Sequence, residues 1–267
     1  MKKLSPFLVA LLLLPAVSIS QTTMSAESIK AKINANSPIA LTNVHITGDL
    51  DLTKLANMKL VPQKDAESTS KTFVSTVTSP VSFTNCTFSG NVLGYFNPDN
   101  DKMKGNLNLS MKETSEVYNT NFEGPVAFEN CTFEKEVAFK YSEFKNKVSF
   151  AGSKFNDEAI FKYTKFIQGP NFAGADFKNV AVFKYVELAD GFDFSNTVFN
   201  NQADFKYAKL LSNGSFANAR FRSNSDFKYA NFGTAVNFKG AKFEGSTDFK
   251  YTKRNNRQIT LSELTEK

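Results

Sequence analysis

The chain has 267 residues, 41% hydrophobic and 22% charged, with a formal net charge of +6, two cysteines, one histidine and no tryptophan. Cys86 and Cys131 are too few for a disulfide framework in a chain this long, and the single His45 removes most metal sites and most Ser-His or Cys-His catalytic arrangements. The mild positive excess favours anionic partners weakly and identifies none of them.

Residues 1–20 follow the order of a secretory signal peptide: basic Lys2 and Lys3, an apolar stretch over 7–19, and the small Ser18 and Ser20 before polar Gln21. A retained transmembrane anchor is the lesser reading, because the run falls short of the ~20 residues that span a bilayer and Pro15 interrupts it. No Cys follows the run, which argues against a lipid-modified N-terminus. The mature chain is therefore expected to be secreted or periplasmic. Loss of Lys2 and Lys3 takes its formal charge from +6 to +4.

Residues 21–40 read as an N-terminal cap, with a short helix over 25–36 in which Ser25 is the N-cap, Glu27 sits in the first turn, and Ile29 and Ile33 lie one turn apart. A repeat protein needs such a cover at its open end. The repeat itself begins in 41–55, where Leu41, Ile46 and Leu52 are spaced 5 and 6. Two irregular stretches, near 57–72 and 96–115, then interrupt it. The nine residues from Pro80 to Phe88 closely match those from Pro125 to Phe133 at an offset of 45. One 22-residue unit plus 23 inserted residues accounts for this better than two units, because 94–110 is rich in Gly, Pro, Asp and Asn and lacks any Phe beat. On that alignment Cys86 and Cys131 share an inward position on adjacent units, about 5 Å apart. Two buried thiols acting as small fillers are preferred there to a disulfide.

From Phe122 to Phe249 the beat is unbroken, with 24 positions at alternating steps of 6 and 5, of which 22 are Phe and two are Leu188 and Leu210. At about 100° per residue those steps would throw successive rings roughly 140° and 240° around a helix, so no apolar stripe would form. Gly152, Gly174, Gly191, Gly214 and Pro170 would also break a helix repeatedly. A leucine-rich repeat fails because its unit is asymmetric, whereas the two halves of each 22 residues here are nearly alike. What remains is a coil of four short sides, each aiming one Phe at the axis. The residue two before each Phe is usually small (Ser142, Ser153, Thr164, Ala175, Ala208, Ala219, Ala230, Ala241) and shares its face. Polar and Gly residues at the corners supply the turns.

Runs such as Val148-Ser149-Phe150-Ala151-Gly152-Ser153-Lys154-Phe155 and Asn171-Phe172-Ala173-Gly174-Ala175-Asp176-Phe177 resemble the pentapeptide-repeat proteins, and the likeness covers most of 41–251. The resemblance implies an all-β fold, a right-handed quadrilateral parallel β-helix, here with a short N-terminal capping helix. The chain departs from the family's five-residue step, since every second step is six, which widens two opposite sides or adds a bulge at two corners. Some members of that family mimic DNA and protect a topoisomerase. That role suits an acidic cytosolic surface rather than this basic chain with its leader.

The block Phe-Lys-Tyr recurs every 22 residues, at 139–141, 161–163, 183–185, 205–207, 227–229 and 249–251. In a stacked coil Lys140, Lys162, Lys184, Lys206, Lys228 and Lys250 form an outward column, beside a second column of Tyr141, Tyr163, Tyr185, Tyr207, Tyr229 and Tyr251. Two unit charges about 5 Å apart in water repel by roughly 1 kcal/mol. Asp204, Asp226 and Asp248 precede the later Phe residues and offset that cost, whereas Ala138, Ile160 and Val182 hold the same place earlier. Lys140, Lys162 and Lys184, with Tyr141, Tyr163 and Tyr185, are thus the candidate binding residues for an anionic glycan or nucleic acid, with sugar or base rings on the Tyr faces. The plainer reading of both columns is structural: stacked Tyr rings support a sheet face, and Lys deters edge pairing. Glu143, Lys165, Glu187 and Lys209 alternate in sign as a salt ladder.

After Tyr251 the beat stops, and 252–267 is expected to form a cap, a tail helix or a disordered end. No catalytic arrangement, metal site or cofactor site stands out; His45 reads as a surface residue. The expected function is a non-catalytic structural or protein-interaction β-helix with an unknown protein partner. The alternative is an anionic-polymer module using the Lys-Tyr face. A homodimer through an uncovered C-terminal coil is also expected.

Overall fold

The computed structural model describes residues 21–62, 70–98 and 116–265. The leader expected over 1–20, the larger part of the second insertion and the final two residues lie outside the described residues. Short strands stack in parallel into four sheets, one per side of a square tube, which makes the fold an all-β quadrilateral parallel β-helix. Following the chain, side one carries Phe83, Phe128 and Phe150, side two Phe88, Phe133 and Phe155, side three Phe139 and Phe161, and side four Phe122, Phe144 and Phe166. Phe83 pairs with Phe128, Phe133 with Phe155 and Phe144 with Phe166, so every ring sits on its counterpart in the next coil.

Why such short strands hold follows from the core. Across the beat from Phe122 to Phe238 every position is buried, and rings of successive coils stack nearly face to face, as in Phe155–Phe177 at 4.5 Å and Phe177–Phe199 at 5.0 Å. Rings from different sides meet edge to face, as in Phe172–Phe183 at 5.4 Å and 89°, the two geometries that aromatic quadrupoles favour. Each buried Phe contributes about 1.5–3 kcal/mol, set against the ordering entropy of the backbone. The small inward residues are buried as expected, and where they carry a hydroxyl it donates to the coil below: Ser153 Oγ to the Phe128 carbonyl at 2.6 Å, Thr164 Oγ1 to Phe139 at 2.7 Å and Thr197 Oγ1 to Phe172 at 2.8 Å. A buried polar group without such a partner would be costly.

The alternating step has a corner-by-corner cause. Both five-residue steps close through a tight turn whose third residue has positive φ, and the two lie at opposite corners. Between sides one and two that residue is Gly or Asn (Gly152 at 65°, Gly174 at 68°, Asn196 at 57°); between sides three and four it is the Tyr of Phe-Lys-Tyr. The six-residue steps form the other two corners and use the extra residue to turn more widely. Asn146, Asp157, Asn179 and Asn201 there accept a hydrogen bond from the next backbone N–H. One wide corner also carries an off-beat ring: Phe192 is 1% exposed and fills the space left by Gly214 in the next coil, where any Cβ would strike it.

Both ends carry covers. The N-terminal helix spans Ala26–Asn34, with Ser25 outside it as N-cap accepting the Ser28 N–H, and buries Ala26, Ile29 and Ile33. Ahead of it the strand Thr22–Ser25 pairs with Val44–Thr47, an element that no sequence pattern announced. At the other end the helix Leu261–Thr265 buries Leu264, and Ile259 is buried beside it, so the last coil is not left bare. Phe243 and Phe249 remain only partly buried there. Val126 pairs directly with Val81, and Phe83 with Leu41, so each irregular stretch is an insertion between adjacent coils.

Candidate functional site

Both insertions leave the tube at the corner between sides three and four, the corner that carries Lys-Tyr in every later coil. Strands Lys71–Val77 and Glu116–Phe122 run back beyond this corner as a parallel pair, flanked by antiparallel Lys59–Leu60 and Tyr95–Phe96. They form a small fin with Leu60, Phe73, Tyr118 and Phe96 in one cross-strand row. Phe73 stacks on Tyr118 at 5.1 Å, and the Lys54 ammonium lies 4.7 Å from the Tyr118 ring centre. Tyr118 Oη donates to Glu116 at 2.6 Å. The fin abuts the Lys-Tyr column through Tyr95, whose ring tilts against Tyr141 at 6.0 Å and whose Oη accepts from Lys140 Nζ at 3.1 Å. Sequence reasoning missed Tyr95 as an added rung; its offset of 45 from Lys140 was the available signal.

The six Tyr rings form one continuous stack. Successive centroids are 4.8, 4.6, 4.7, 4.8 and 4.8 Å apart, and the first four pairs are parallel to within 5°. Every Tyr has φ between 58° and 62°, a left-handed conformation that costs an L-residue about 1–2 kcal/mol and that Gly or Asn usually supplies. The turn itself closes through Phe139 carbonyl to Ser142 N–H at 3.0 Å, and equivalently in each coil. Each Lys Nζ lies 5.0–5.7 Å from the centre of its own Tyr ring. Since the rings are one coil rise apart, the ammonium groups flank the stack rather than enter it.

Two of the sequence expectations change here. The Tyr faces expected to receive sugar or base rings are occupied by one another, so only ring edges and hydroxyls are open. The Asp residues do not turn to the Lys ammonium groups; Asp204, Asp226 and Asp248 accept from the backbone N–H of Lys206, Lys228 and Lys250 at 2.9, 2.8 and 2.8 Å. Their charge still acts on the column, and Asp204 feels Lys184 and Lys206. Burial raises the Asp204 carboxyl above its ordinary range, and the Asp226 charge adds to that. At the other end of the column burial lowers the Lys162 ammonium below its usual range, with repulsion from Lys140 and Lys184 as the next causes. The structure thus brings Lys140, Lys162 and Lys184 together with Tyr141, Tyr163 and Tyr185 on one corner, with an apolar strip of Ala138, Ile160 and Val182 in register beside them.

Of the expected salt ladder, Glu143 aligns with Lys165 and Glu187 with Lys209, yet among the described residues only Lys209–Glu187 closes, at 2.6 Å. Lys145–Glu123 forms a second ion pair one column over, at 2.8 Å. Exposed pairs of this kind contribute little, about 0–1 kcal/mol. His45 lies half-exposed between Thr23 and Thr87. Cys86 and Cys131 are buried free thiols. Each thiol donates to main-chain carbonyls, Cys86 Sγ to Thr84 at 3.4 Å and Cys131 Sγ to Phe83 at 3.5 Å, and the neighbouring Cys86 thiol and then burial hold Cys131 above its ordinary range. Among the described residues no three His, Cys, Asp or Glu side chains gather closely enough to hold a metal ion. No described helix is long and apolar enough to cross a membrane. A groove of about 710 Å³ lies on side one, with Pro80, Val126, Val148 and Ile167 among its lining residues.

A tube of stacked aromatic coils, capped at both ends and bearing its regular surface columns at the corners, is a repeat β-helix scaffold. The pentapeptide-repeat family profile, with nine copies of the repeat, matches residues 118–165, 161–209 and 210–253, more than half of the chain. The chain belongs to the pentapeptide-repeat family. No curated protein matches it.

Proposed function

We propose that the chain is an exported, non-catalytic β-helix that serves as a structural or protein-interaction scaffold and meets its partner through the corner between sides three and four. The observation that carries this reading is the Tyr stack. Six residues are held in a costly backbone conformation so that one flat, rigid, regularly charged edge runs along the six later coils. A preorganised surface loses little entropy on binding. Export is tested by sequencing the N-terminus of protein recovered from the cell envelope. A start at Gln21 supports it, and an intact Met1 on cytosolic protein removes it. The interaction is tested by cross-linking from Tyr163 and Lys162 in the native envelope, where one partner lost on changing both residues to Ala is the expected result. The homodimer expected through an uncovered C-terminal coil is not carried into this proposal, because Ile259 and the helix Leu261–Thr265 cover that rim.

A second reading is favoured by one observation, the alignment of Lys140, Lys162 and Lys184 on one corner beside Ala138, Ile160 and Val182 rather than Asp, where burial and mutual repulsion lower the Lys162 ammonium and Asp204 offsets them only in part. Such a cluster would hold an anionic polymer. Binding should weaken steeply as ionic strength rises, and changing the three lysines together to Ala should abolish it.

A further inference from the structure

We propose that the Lys140–Lys162–Lys184 stretch takes a linear polyuronate, a glycan with one carboxylate on each sugar, laid along the tube axis with one sugar per coil. This rests on the anionic-polymer reading and narrows it. The spacing comes from the rungs themselves. Neighbouring Tyr rings are 4.8 and 4.6 Å apart over these coils, and each Lys keeps a nearly constant offset from its ring, so positive charge repeats once per coil rise. A chain of extended pyranose units advances by about one ring length per carboxylate, close to that rise. A stacked nucleic-acid strand instead carries a phosphate every ~3.4 Å and would drift out of register within three coils. Single-stranded nucleic acid also needs open aromatic faces for its bases, and the Tyr rings cover one another.

The surface beside the lysines fits sugars. Ile160 and Val182 point outward, half-buried, two residues before Lys162 and Lys184, and offer apolar contact to pyranose C–H groups. The site also has ends. Beyond Val182 the same column becomes Asp204, Asp226 and Asp248, which repel carboxylates. At the other end Tyr95 Oη fixes the Lys140 ammonium. The footprint is therefore three coils and three sugars, not the full six-rung column.

The test is titration of the full-length protein with oligogalacturonates of two to six sugars, their methyl esters, a sulfated glycan and single-stranded oligonucleotides of matched charge. Affinity should rise up to three sugars and then level off, and the methyl esters should not bind. Changing Lys140, Lys162 and Lys184 to Ala should weaken binding at least tenfold, whereas Lys206, Lys228 and Lys250 to Ala should leave it within twofold. Ile160→Asp with Val182→Asp, which copies the later coils, should abolish binding while circular dichroism confirms the β-helix. Oligonucleotides binding as tightly as the uronates overturn the polyuronate assignment and leave the general anionic reading standing, whereas equal binding of the uncharged esters overturns both. Absence of binding to every anionic polymer overturns both.

Discussion

At the scale of the residue, the most informative positions are the six tyrosines with positive φ. Tyr185 has φ 58° and sits 4.6 and 4.7 Å from Tyr163 and Tyr207. Stacked aromatic pairs contribute about 0.5–1.5 kcal/mol each, enough to offset the left-handed backbone. Replacing Tyr185 by Gly or by Ala removes both stacks, but only Gly relieves the backbone. The Ala variant should therefore be less stable than the Gly variant by about 1 kcal/mol, the reverse of the order in helices and strands, and urea denaturation reads it directly. Asp204 gives a second residue-scale prediction. Its carboxyl is raised in the fold, chiefly by burial, so the folded state binds the proton more tightly than the unfolded chain. That contribution is complete below the unfolded value of 3.8 and is lost as pH rises through the higher folded value. Asn171 and Asn237 already make the same turn contact with an amide, Oδ1 accepting from Ala173 and Lys239 N–H at 2.9 Å each. Asp204→Asn should hence stabilise the protein at neutral pH, with the gain shrinking as pH falls toward 4. A gain that does not change with pH would show that ionisation is not the cause.

At the scale of the element, the unit is the 22-residue coil, and its backbone pattern is indifferent to which coil it is. Deleting 164–185 joins Tyr163 to Val186 and restores the sequence Phe-Lys-Tyr followed by a small step to Leu188, so the shortened chain should fold with the same circular dichroism per residue. Deleting 164–184 instead leaves Tyr185 as one extra residue at that corner, which breaks one tight turn while the following coils keep their own spacing, so that protein should fold but unfold at lower urea than the 22-residue deletion. The same periodicity explains what could be read from the sequence. The Phe beat, the inward small residues and the match of Pro80–Phe88 to Pro125–Phe133 are spacings along the chain, so they survive without coordinates. The Tyr backbone was hidden because Phe-Lys-Tyr looks like strand. The clue was positional: Tyr141 stands two residues after Phe139, just as Gly152 stands two after Phe150. Once the corners are superposed, a residue in the place of Gly must share its dihedrals. The strand Thr22–Ser25 carried no such clue, since Met24 is its one apolar residue among Thr22, Thr23 and Ser25 and a single residue shows no alternation, so the pairing with Val44–Thr47 alone defines it.

At the scale of the molecule, a stack that could add coils without limit must be stopped at both ends. The N-terminal end is closed by the helix and its leading strand. The C-terminal end uses two devices. In the column of Phe144, Phe166, Leu188, Leu210 and Phe232, the next position is Arg254, aligned with Phe232. A guanidinium stands where a ring would continue the core; its Nε has no hydrogen-bond partner, and burial lowers its proton affinity. Over it fold Ile259 and the helix Leu261–Thr265, tied by Arg257 Nη1 to Glu263 at 2.8 Å. These devices should act in sequence. Removing the chain from Asn255 onward uncovers Phe243 and Phe249 but leaves the Arg254 charge at the rim, so self-association should be weak and concentration-dependent. Adding Arg254→Phe to that truncation completes an apolar rim of four sides, and light scattering should then show stable dimers at concentrations where the single truncation is monomeric. If the double change stays monomeric while folded, the cap and the cation do not guard the end, and the tube stops because its unpaired strand edges do not accept a second copy.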